Sequence, residues 1–187
     1  MAQTVTLVRH GQTECSARLA YSGRLDIPLT QTGREQALAA AQRLAGAGID
    51  AIISSPLIRA RDTAKAIADA TGATLSVDER LTEVDYGAFE GLDRAAAREL
   101  IGAPFDAWRA DPFGAPVPGM ESLADALERA RAATDDVLAA HERPAIVGHQ
   151  GILRIVLVAL GQIAPGDYFA TRLLEADPLV VQSPSLI

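Results

Sequence analysis

The amino-acid sequence predicts an α/β protein, a three-layer αβα sandwich with a mainly parallel central sheet. Short apolar runs that resemble strands alternate along most of the chain with longer segments of helical periodicity, the pattern of a layered α/β fold. The runs at 4–8 and 144–147 carry no charge, as expected of strands that are buried on both faces. The chain has 187 residues, with neither a long linker nor an internal repeat. We therefore expect a single domain over 1–187.

The N-terminal half is predicted to alternate three strands with two helices. Thr30 or Thr32 is placed to cap the first helix, and Glu35 would complete a capping box with Thr32. The second helix starts after Ser55 and Pro56, because proline is favoured in a first helical turn. The predicted elements are strand 4–8, a helix from 30 or 32 to about 47, strand 51–54, helix 57–70 and a weaker strand 73–77.

The middle of the chain is the least regular part of the sequence. Residues 78–119 contain four prolines, which leave room only for short helices. We expect 84–120 to be an insertion that covers the substrate. Beyond it, Ser122 and Asp125 are placed to cap a long amphipathic helix. The predicted elements are short helices near 94–100 and 105–110, the long helix to about 141, strand 144–147, helix 152–160 and an edge strand around 179–182.

The charge balance is acidic, and the cations are almost all arginine. The chain carries 17 Lys+Arg and 24 Asp+Glu, for a formal net charge of −7 and a pI of about 4.9. A field of that sign repels phosphate backbones and anionic lipids, so we expect neither nucleic acid nor a membrane as partner. Lys65 is the only lysine. Composition bias explains an arginine excess as well as function does, and only individual positions can distinguish the two.

The cysteine content and the length of the apolar runs indicate the cellular compartment of the protein. Cys15 is the only cysteine, which excludes an intramolecular disulfide and a cysteine-clustered zinc site. The longest aliphatic run, 155–160, is too short to span a bilayer, and residues 1–10 lack the layout of a signal peptide. We therefore expect a cytoplasmic location.

Two of the three histidines occupy equivalent positions after predicted strands. His10 follows the strand at 4–8, His149 follows the strand at 144–147, and a glycine comes soon after each. Ligands of open α/β sheets bind beyond the carboxyl ends of the strands, so both histidines should face one crevice. A lone histidine after a strand is more often an ordinary loop residue, but two in equivalent positions favour a shared site. His141, near a helix end, is assigned no role.

Arginines placed beside these histidines indicate a phosphoryl pocket. Arg9 directly precedes His10. Arg59 lies in the first turn of the helix predicted at 57–70, whose free backbone amides can also bind an anion. Arginine forks and imidazoles that converge on one crevice are suited to phosphate. Arg61, one position further round the helix, is expected to face solvent.

Phosphoryl transfer to a poor leaving group also needs a proton source. Glu83 lies in a loop directly after a predicted strand, with a glycine nearby, which is a suitable position for a general acid. Asp85 and Glu90 are the alternatives that spacing leaves open.

Taken together and in order, these segments resemble the histidine phosphatase superfamily, the phosphoglycerate-mutase-like proteins. The resemblance extends from residue 5 to about 154. The matching segments are 7–13 (LVRHGQT), 26–30 (DIPLT) with Gly33, Gln36 and Ala37, 54–60 (SSPLIRA) with Thr63 and Ala64, 81–83 (LTE) with Gly87, 89–91 (FEG) and 147–149 (VGH). Because several motifs match in sequence order, the resemblance is specific.

The resemblance implies a role for each matching residue. His10 would be the nucleophile that becomes phosphohistidine. Arg9, Arg59 and His149 would hold the phosphoryl oxygens, and Glu83 would protonate the leaving oxygen. Members of this family need neither a metal nor a cofactor, so none is expected here. Further residues expected to bind substrate are Gln12, Thr13, Ser22, Gly23 and Gln150.

Two positions depart from the family pattern. Ser16 stands where many members have an asparagine, and Cys15 stands where an aromatic residue is frequent. A hydrogen bond and a wall of the substrate pocket therefore differ from the family pattern.

The resemblance favours the compact phosphatase branch. Only 66 residues separate Glu83 from His149, whereas mutases carry a longer basic insertion there. The arginines in this interval form no paired basic run: Arg94, Arg98, Arg109, Arg129, Arg131 and Arg143. The predicted function is hydrolysis of a small phosphomonoester by a monomer or homodimer. The alternatives are a phosphoglycerate-type mutase and a non-catalytic module that binds a phosphorylated ligand.

Overall fold

A five-stranded sheet forms the centre of the computed structural model, which describes residues 3–183. The strand order is β3-β2-β4-β1-β5. The first four strands run parallel, and the last pairs antiparallel with β1 at one edge. The mainly parallel sheet and the C-terminal edge strand are both as predicted. The strands are β1 (Thr4–Arg9), β2 (Ala51–Ser54), β3 (Thr74–Val77), β4 (Pro144–Gly148) and β5 (Leu179–Gln182).

Seven helices connect and cover the strands within the described residues. Six agree with the predicted segments, apart from shifts at their ends. The four-residue α1 is not foreseen by the sequence, because a single capped turn has no measurable periodicity. The helices are α1 (Glu14–Ala17), α2 (Gln31–Leu44), α3 (Ile58–Thr71), α4 (Arg94–Ile101), α5 (Ala103–Ala110), α6 (Leu123–Ala140) and α7 (Gln150–Ala159).

The N-cap of α2 corrects one detail of the sequence interpretation. Thr30 is the capping residue, and its hydroxyl accepts a hydrogen bond from the backbone of Gly33 at 3.0 Å. Thr32 lies inside the helix, so the capping box expected between Thr32 and Glu35 is wrong. The backbone amide of Thr30 also donates to the carbonyl of Gln12 at 2.9 Å, and this bond to the loop after β1 fixes where the helix begins.

The two faces of the sheet are covered by different helices, which gives the expected three layers. Successive side chains of a strand point to opposite faces. Val5, Leu7 and Ile146 belong to the larger core with α6 and α7, whereas Val8 and Ile52 belong to a second core with α2 and α3. The three-layer αβα sandwich is therefore confirmed.

The two ends of the segment 84–120 lie side by side. Its ends are joined by a hydrogen bond from Glu121 N to Asp85 O at 2.9 Å. Gly87 has φ +54°, and a Cβ there would collide with the carbonyl of Gly119, so only glycine allows this close approach. Between these points, α5 contributes the buried side chains of Phe105 and Trp108 to the larger core, and the turn before α4 contributes Phe89.

The strand order brings three loops to one edge of the sheet. β4 lies between β2 and β1, and all three strands run parallel. The residues that follow them, Ser55 after β2, His10 after β1 and His149 after β4, therefore come out side by side. None of the helices in 3–183 is long and apolar enough to cross a membrane.

Candidate active site

The two histidines at the strand ends are neighbours. Arg9 pairs with Gly148 in the register of the parallel strands, and His10 N donates to Gly148 O at 2.9 Å. The ring centroids of His10 and His149 are 5.1 Å apart. The equivalence seen in the sequence therefore becomes a contact, because β1 and β4 are adjacent in the sheet.

His10 has the protonation state and orientation of a nucleophile. Its Nδ1 lies 2.6 Å from Gly11 O, which accepts only if Nδ1 carries the proton. No other residue of the described chain bonds to Nε2, which keeps its lone pair. Burial holds the pKa of His10 well below 6.5, and the charges of Arg59 and Arg9 lower it further. The imidazole is thus neutral, with Nε2 available to attack.

His149 is held through both ring nitrogens. Arg59 Nε donates to Nδ1 at 3.1 Å, which places the ring proton on Nε2. Nε2 lies 2.7 Å from the hydroxyl of Ser55, to which it donates. The side chain is completely buried, and this burial, followed by the charge of Arg59, keeps the pKa of His149 well below 6.5. A neutral ring with this tautomer presents its proton at Nε2.

Arg59 is an arginine with no exposed surface, in the first turn of α3. Its Nη1 donates to Leu25 O at 2.6 Å and its Nη2 to Gly23 O at 2.7 Å, in addition to the bond to His149. Each terminal nitrogen carries a second hydrogen that these bonds leave available. Gly23, predicted to bind substrate, thus orients an arginine through its carbonyl.

Arg9 is oriented by the C-terminal part of the chain. Its Nη1 donates to Leu173 O at 3.1 Å, and its Nη2 pairs with Glu175 at 3.3 Å. Its Nε is buried, and no group among residues 3–183 accepts from it. A buried donor without an acceptor is costly, so an anion in the adjoining cavity would stabilise it.

Glu83 lies at the N-terminus of α7 and lines the same cavity as His10. Its Oε1 accepts from Val84 N at 2.9 Å and Ile152 N at 2.8 Å, and its Oε2 accepts from Gly151 N at 2.9 Å. A Cβ on Gly151 would come within 2.6 Å of Glu83 Oε1 and 2.5 Å of Tyr86 Oη. The carboxyl can reach this helix end because residue 151 is glycine.

The structure separates Glu83 from the alternative general acids. Asp85 accepts from Gly87 N at 2.8 Å, and Glu90 accepts from Arg24 N at 2.8 Å. Neither of them lines the cavity that contains His10, whereas Glu83 does. The geometry therefore favours Glu83 among the three carboxylates.

Arg129 holds the loop that carries Glu83, a role that was not predicted from the sequence. Arg129 of α6 forms a two-bond ion pair with Glu121, at 2.6 and 2.8 Å. Its Nη1 donates to the carbonyls of Arg80 and Thr82 at 2.6 and 2.7 Å. The sequence shows only that Arg129 lies four residues after Asp125 on a capped helix. No sequence signal could therefore have predicted its contacts with the loop before Glu83.

A cavity of about 580 Å³ adjoins these groups, a size suited to a small metabolite. Ser16 also lines it, and the Ser16 hydroxyl accepts from Thr13 N at 2.9 Å. Within 3–183, no cluster of three His, Cys, Asp or Glu side chains could hold a metal ion. Six of the predicted site residues line the cavity: Arg9, His10, Ser22, Arg59, Glu83 and Gln150.

Four predicted residues do not line the cavity. His149 is fully buried with its ring next to that of His10, and the carbonyl of Gly23 accepts a hydrogen bond from Arg59. Gln12 bonds to Thr30 and to Gln36, while Thr13 is buried and caps α1. Substrate binding by Gln12 and Thr13 stays a prediction, and the structure gives both residues local contacts of their own.

Comparisons with known proteins agree with this geometry. The model of the histidine phosphatase superfamily (branch 1) matches residues 5–181. A Hydrogenobacter thermophilus protein named "Putative phosphoserine phosphatase 2" is 37% identical over 82% of this chain and 76% of its own. A Yersinia pestis protein named "Probable phosphoglycerate mutase GpmB" is 38% identical over 83% of this chain and 74% of its own.

The fold is shared with a solved phosphatase. The native structure of a mycobacterial glucosyl-3-phosphoglycerate phosphatase superposes with a TM-score of 0.86 at 30% identity, covering 97% of this chain and 91% of that one. The predicted fold and enzyme class, a phosphatase that acts through a histidine, are confirmed. On sequence, fold and site together, the chain belongs to the histidine phosphatase superfamily.

Proposed function

We propose that this protein hydrolyses a small phosphomonoester through a phosphohistidine on Nε2 of His10. The observation that carries the proposal is the state of His10: a neutral ring, fixed by Gly11 O at Nδ1, with Nε2 open beside Arg9 and Arg59. Such a ring is nucleophilic without a separate base, because no proton has to be removed from Nε2.

The first half-reaction forms a P–N bond and breaks a P–O bond. Nε2 of His10 attacks the phosphorus in line with the leaving oxygen, while Arg9 and Arg59 stabilise the equatorial oxygens. His149 contributes its Nε2–H to a phosphoryl oxygen in place of its bond to Ser55. The leaving oxygen takes a proton from Glu83, and the alcohol departs.

Glu83 has one oxygen better suited to carry that proton. Oε1 already accepts two backbone hydrogen bonds, from Val84 and Ile152, whereas Oε2 accepts one, from Gly151. Each carboxyl oxygen has two lone pairs, so Oε2 keeps a position for the proton. We therefore assign the transferred proton to Oε2.

The second half-reaction returns the enzyme to its starting state. The Glu83 carboxylate accepts a proton from water, the resulting hydroxide oxygen bonds to phosphorus, and the P–N bond breaks. Inorganic phosphate leaves, His10 regains its Nε2 lone pair, and Glu83 is again protonated. One carboxyl thus serves as acid and then as base.

We infer that water, rather than the phosphorylated product's own hydroxyl, accepts the phosphoryl group from His10, so that the reaction is hydrolysis and not a mutase reaction. Leu19, Arg94 and Arg172 line the outer part of the cavity and are exposed, so water has access to the site. The relatives described above include a protein named a mutase, and release of phosphate distinguishes the two reactions. A mutase would convert 3-phosphoglycerate to 2-phosphoglycerate without releasing phosphate.

The segment 84–120 is proposed to be the part that covers the substrate within a single domain. It contributes Tyr86, Arg94 and Arg109 to the cavity lining. A cytoplasmic location, the absence of nucleic-acid and membrane partners, and a monomeric or homodimeric state stay predictions.

The test is turnover of p-nitrophenyl phosphate with a chelator present, together with acid-quench trapping of the phosphoenzyme. The wild type should release p-nitrophenol and carry an acid-labile phosphoryl group. His10→Ala should lose at least about 10⁴-fold in rate and carry no label, with its fold confirmed by circular dichroism. Phosphate binding without turnover of several phosphomonoesters between pH 5 and 8 would support the non-catalytic alternative and contradict the proposal.

A further inference from the structure

The outer part of the cavity is a second cationic surface, distinct from the groups that face the phosphoryl position. It contains four arginines, here called the outer arginines: Arg94 of α4, Arg109 of α5, Arg154 of α7 and Arg172 of the following loop. They are far apart in sequence and form no basic run, so their cluster could not be recognised from the sequence. With Arg9 and Arg59, the cavity has six arginines and a single carboxylate, that of Glu83.

The outer arginines contrast with five arginines elsewhere in this acidic protein that have carboxylate partners. None of the four forms an ion pair with a carboxylate in the described part of the chain. Elsewhere carboxylates neutralise many of the arginines: Arg24, Arg43, Arg80, Arg98 and Arg129 each have an Asp or Glu partner within 4 Å. The positive charge of the outer arginines is therefore left without a carboxylate partner inside the cavity that contains His10.

Arg109 shows most clearly that a partner is missing. Its guanidinium carbon lies 3.6 Å from the centre of the Phe169 ring, which fixes the plane of the fork. Its Nε is buried and has no acceptor among residues 3–183. Burial lowers the pKa of Arg109, and the nearby charges of Arg94 and Arg154 lower it further. An anion would relieve both the unmet hydrogen bond and the repulsion.

Arg154 is held in place while its terminal nitrogens stay available. Its Nε donates to Thr171 O at 2.6 Å, and its guanidinium carbon lies 5.3 Å from the centre of the Tyr168 ring. Neither terminal nitrogen has a hydrogen-bond acceptor in the described residues. Arg154 and Arg172 line the same cavity as Arg9. Burial lowers the pKa of Arg9, and the charges of Arg154 and Arg172 lower it further. A fixed fork with free donors is suited to a planar or tetrahedral anion.

We propose that the outer arginines bind a second anionic group of the substrate, a carboxylate or another phosphate, and so select doubly anionic phosphomonoesters. This inference rests on the proposed function and adds the chemical class of the substrate. Arg9 and Arg59 hold the phosphoryl group that is transferred, while Arg109, Arg94 and Arg154 hold the distal group.

Two matched pairs of substrates test the selection. In 3-phosphoglycerate and glycerol 3-phosphate, a carboxylate replaces a hydroxymethyl group. In fructose 1,6-bisphosphate and fructose 6-phosphate, a phosphate replaces a hydroxyl. We expect kcat/KM to be at least about tenfold higher for the doubly anionic member of one pair. The pair that shows this preference identifies the distal group. At high salt, the ratio of the two kcat/KM values should approach one.

The variants locate the effect. Arg109→Gln and Arg94→Gln should each lower the ratio of kcat/KM between the two members of the preferred pair, by about 10-fold or more for Arg109. Arg98→Gln is the control, because Arg98 lies one turn after Arg94 on α4 but is exposed and pairs with Asp106. It should leave the ratio unchanged.

The outcomes separate this inference from the proposed function. If p-nitrophenyl phosphate is turned over but neither pair shows a preference, the inference is overturned and the phosphatase function is unaffected. The same holds if Arg98→Gln changes the ratio of kcat/KM as much as Arg109→Gln does. If the wild type turns over no phosphomonoester, calorimetric binding of each pair to the same protein still decides the matter. Equal affinities within both pairs would refute the second anionic site.

Discussion

The ends of β1 and β4 carry the same sequence feature, a histidine followed closely by glycine, yet the two ends do different work. At the β1 end, His10 is bonded only at Nδ1, by the carbonyl of its own neighbour, Gly11. At the β4 end, His149 is bonded at both nitrogens, by Arg59 and Ser55. The difference lies in which strands flank each end, since β4 is surrounded by β1 and β2 and β1 has the antiparallel β5 on its other side.

This contrast teaches that position in the sheet, rather than the motif, decides the role of each histidine. The end of β4 adjoins the segment that follows β2, and this segment supplies both Ser55 and Arg59, so His149 becomes part of a network. The network continues through Gly151 and Ile152, whose amides hold Glu83. We therefore describe the β1 end as the reacting end and the β4 end as the organising end.

The largest expected effect separates the two histidines directly. His149→Asn should lower kcat/KM by about 10²-fold, because one donor to the phosphoryl group and the bond to Arg59 are lost, whereas the phosphoenzyme should still form. His10→Asn should abolish labelling altogether. The measurement is acid-quench trapping with a radiolabelled substrate. Labelling of the His10 variant, or its loss only in the His149 variant, would reverse the assignment of the two ends.

A glycine substitution sharpens the role of the organising end. Gly151→Ala should displace the Glu83 carboxyl and lower kcat/KM by about 10²-fold for an alkyl phosphate, whose leaving oxygen needs a proton. With p-nitrophenyl phosphate, whose leaving group needs none, the loss should be much smaller. Gly46→Ala is the control, because nothing lies within 4 Å of a Cβ added there. An equal loss with both substrates would contradict this account of Glu83.

Loss of the Arg129–Glu121 ion pair should have a smaller effect of the same kind. Arg129→Met removes the donors to the carbonyls of Arg80 and Thr82, so Glu83 should be less well positioned and kcat for an alkyl phosphate should fall about tenfold. The value of KM should change little. Arg131→Met, on the exposed side of the same helix, should retain full activity. A fall in Tm without a dependence on the leaving group would show that Arg129 is structural only.

The smallest effect concerns stability and tests whether both histidines are neutral. Because burial lowers the pKa of His10 and His149 well below 6.5, the unfolded chain binds protons more readily than the folded one below that pH. The free energy of unfolding should fall as the pH drops from 6.5 towards 5, by up to about 1.4 kcal/mol per pH unit for each histidine. Urea denaturation measures this, and His10→Asn should reduce the slope by about half. A flat profile would mean that the rings are not held neutral.

Much of the fold was predictable because it depends on local signals. The uncharged run at 4–8 and the capping pair Ser122 and Asp125 each specify an element by themselves, and the structure contains both. The start of α2 was predicted less well, because Thr30 is chosen over Thr32 by its bond to Gln12, a contact between distant segments.

The candidate site divides in the same way. His10, Arg9, Arg59 and Glu83 follow elements whose ends can be read from the sequence, and the structure brings them together around one cavity. The outer arginines could not be predicted, because they meet only when α4, α5 and α7 have packed. Their cluster is a product of tertiary structure, with no periodicity or spacing in the chain.

The support of Arg9 by Leu173 and Glu175 has a consequence for biosynthesis. His10 emerges from the ribosome early, but the groups that orient the neighbouring arginine lie more than 160 residues later, next to β5. A nascent chain that extends only through α7 therefore contains His10 and Glu83, the proposed nucleophile and general acid, but lacks the groups that orient Arg9. Contacts so distant in sequence form late in folding, so catalytic competence should be acquired in one of the last steps of maturation.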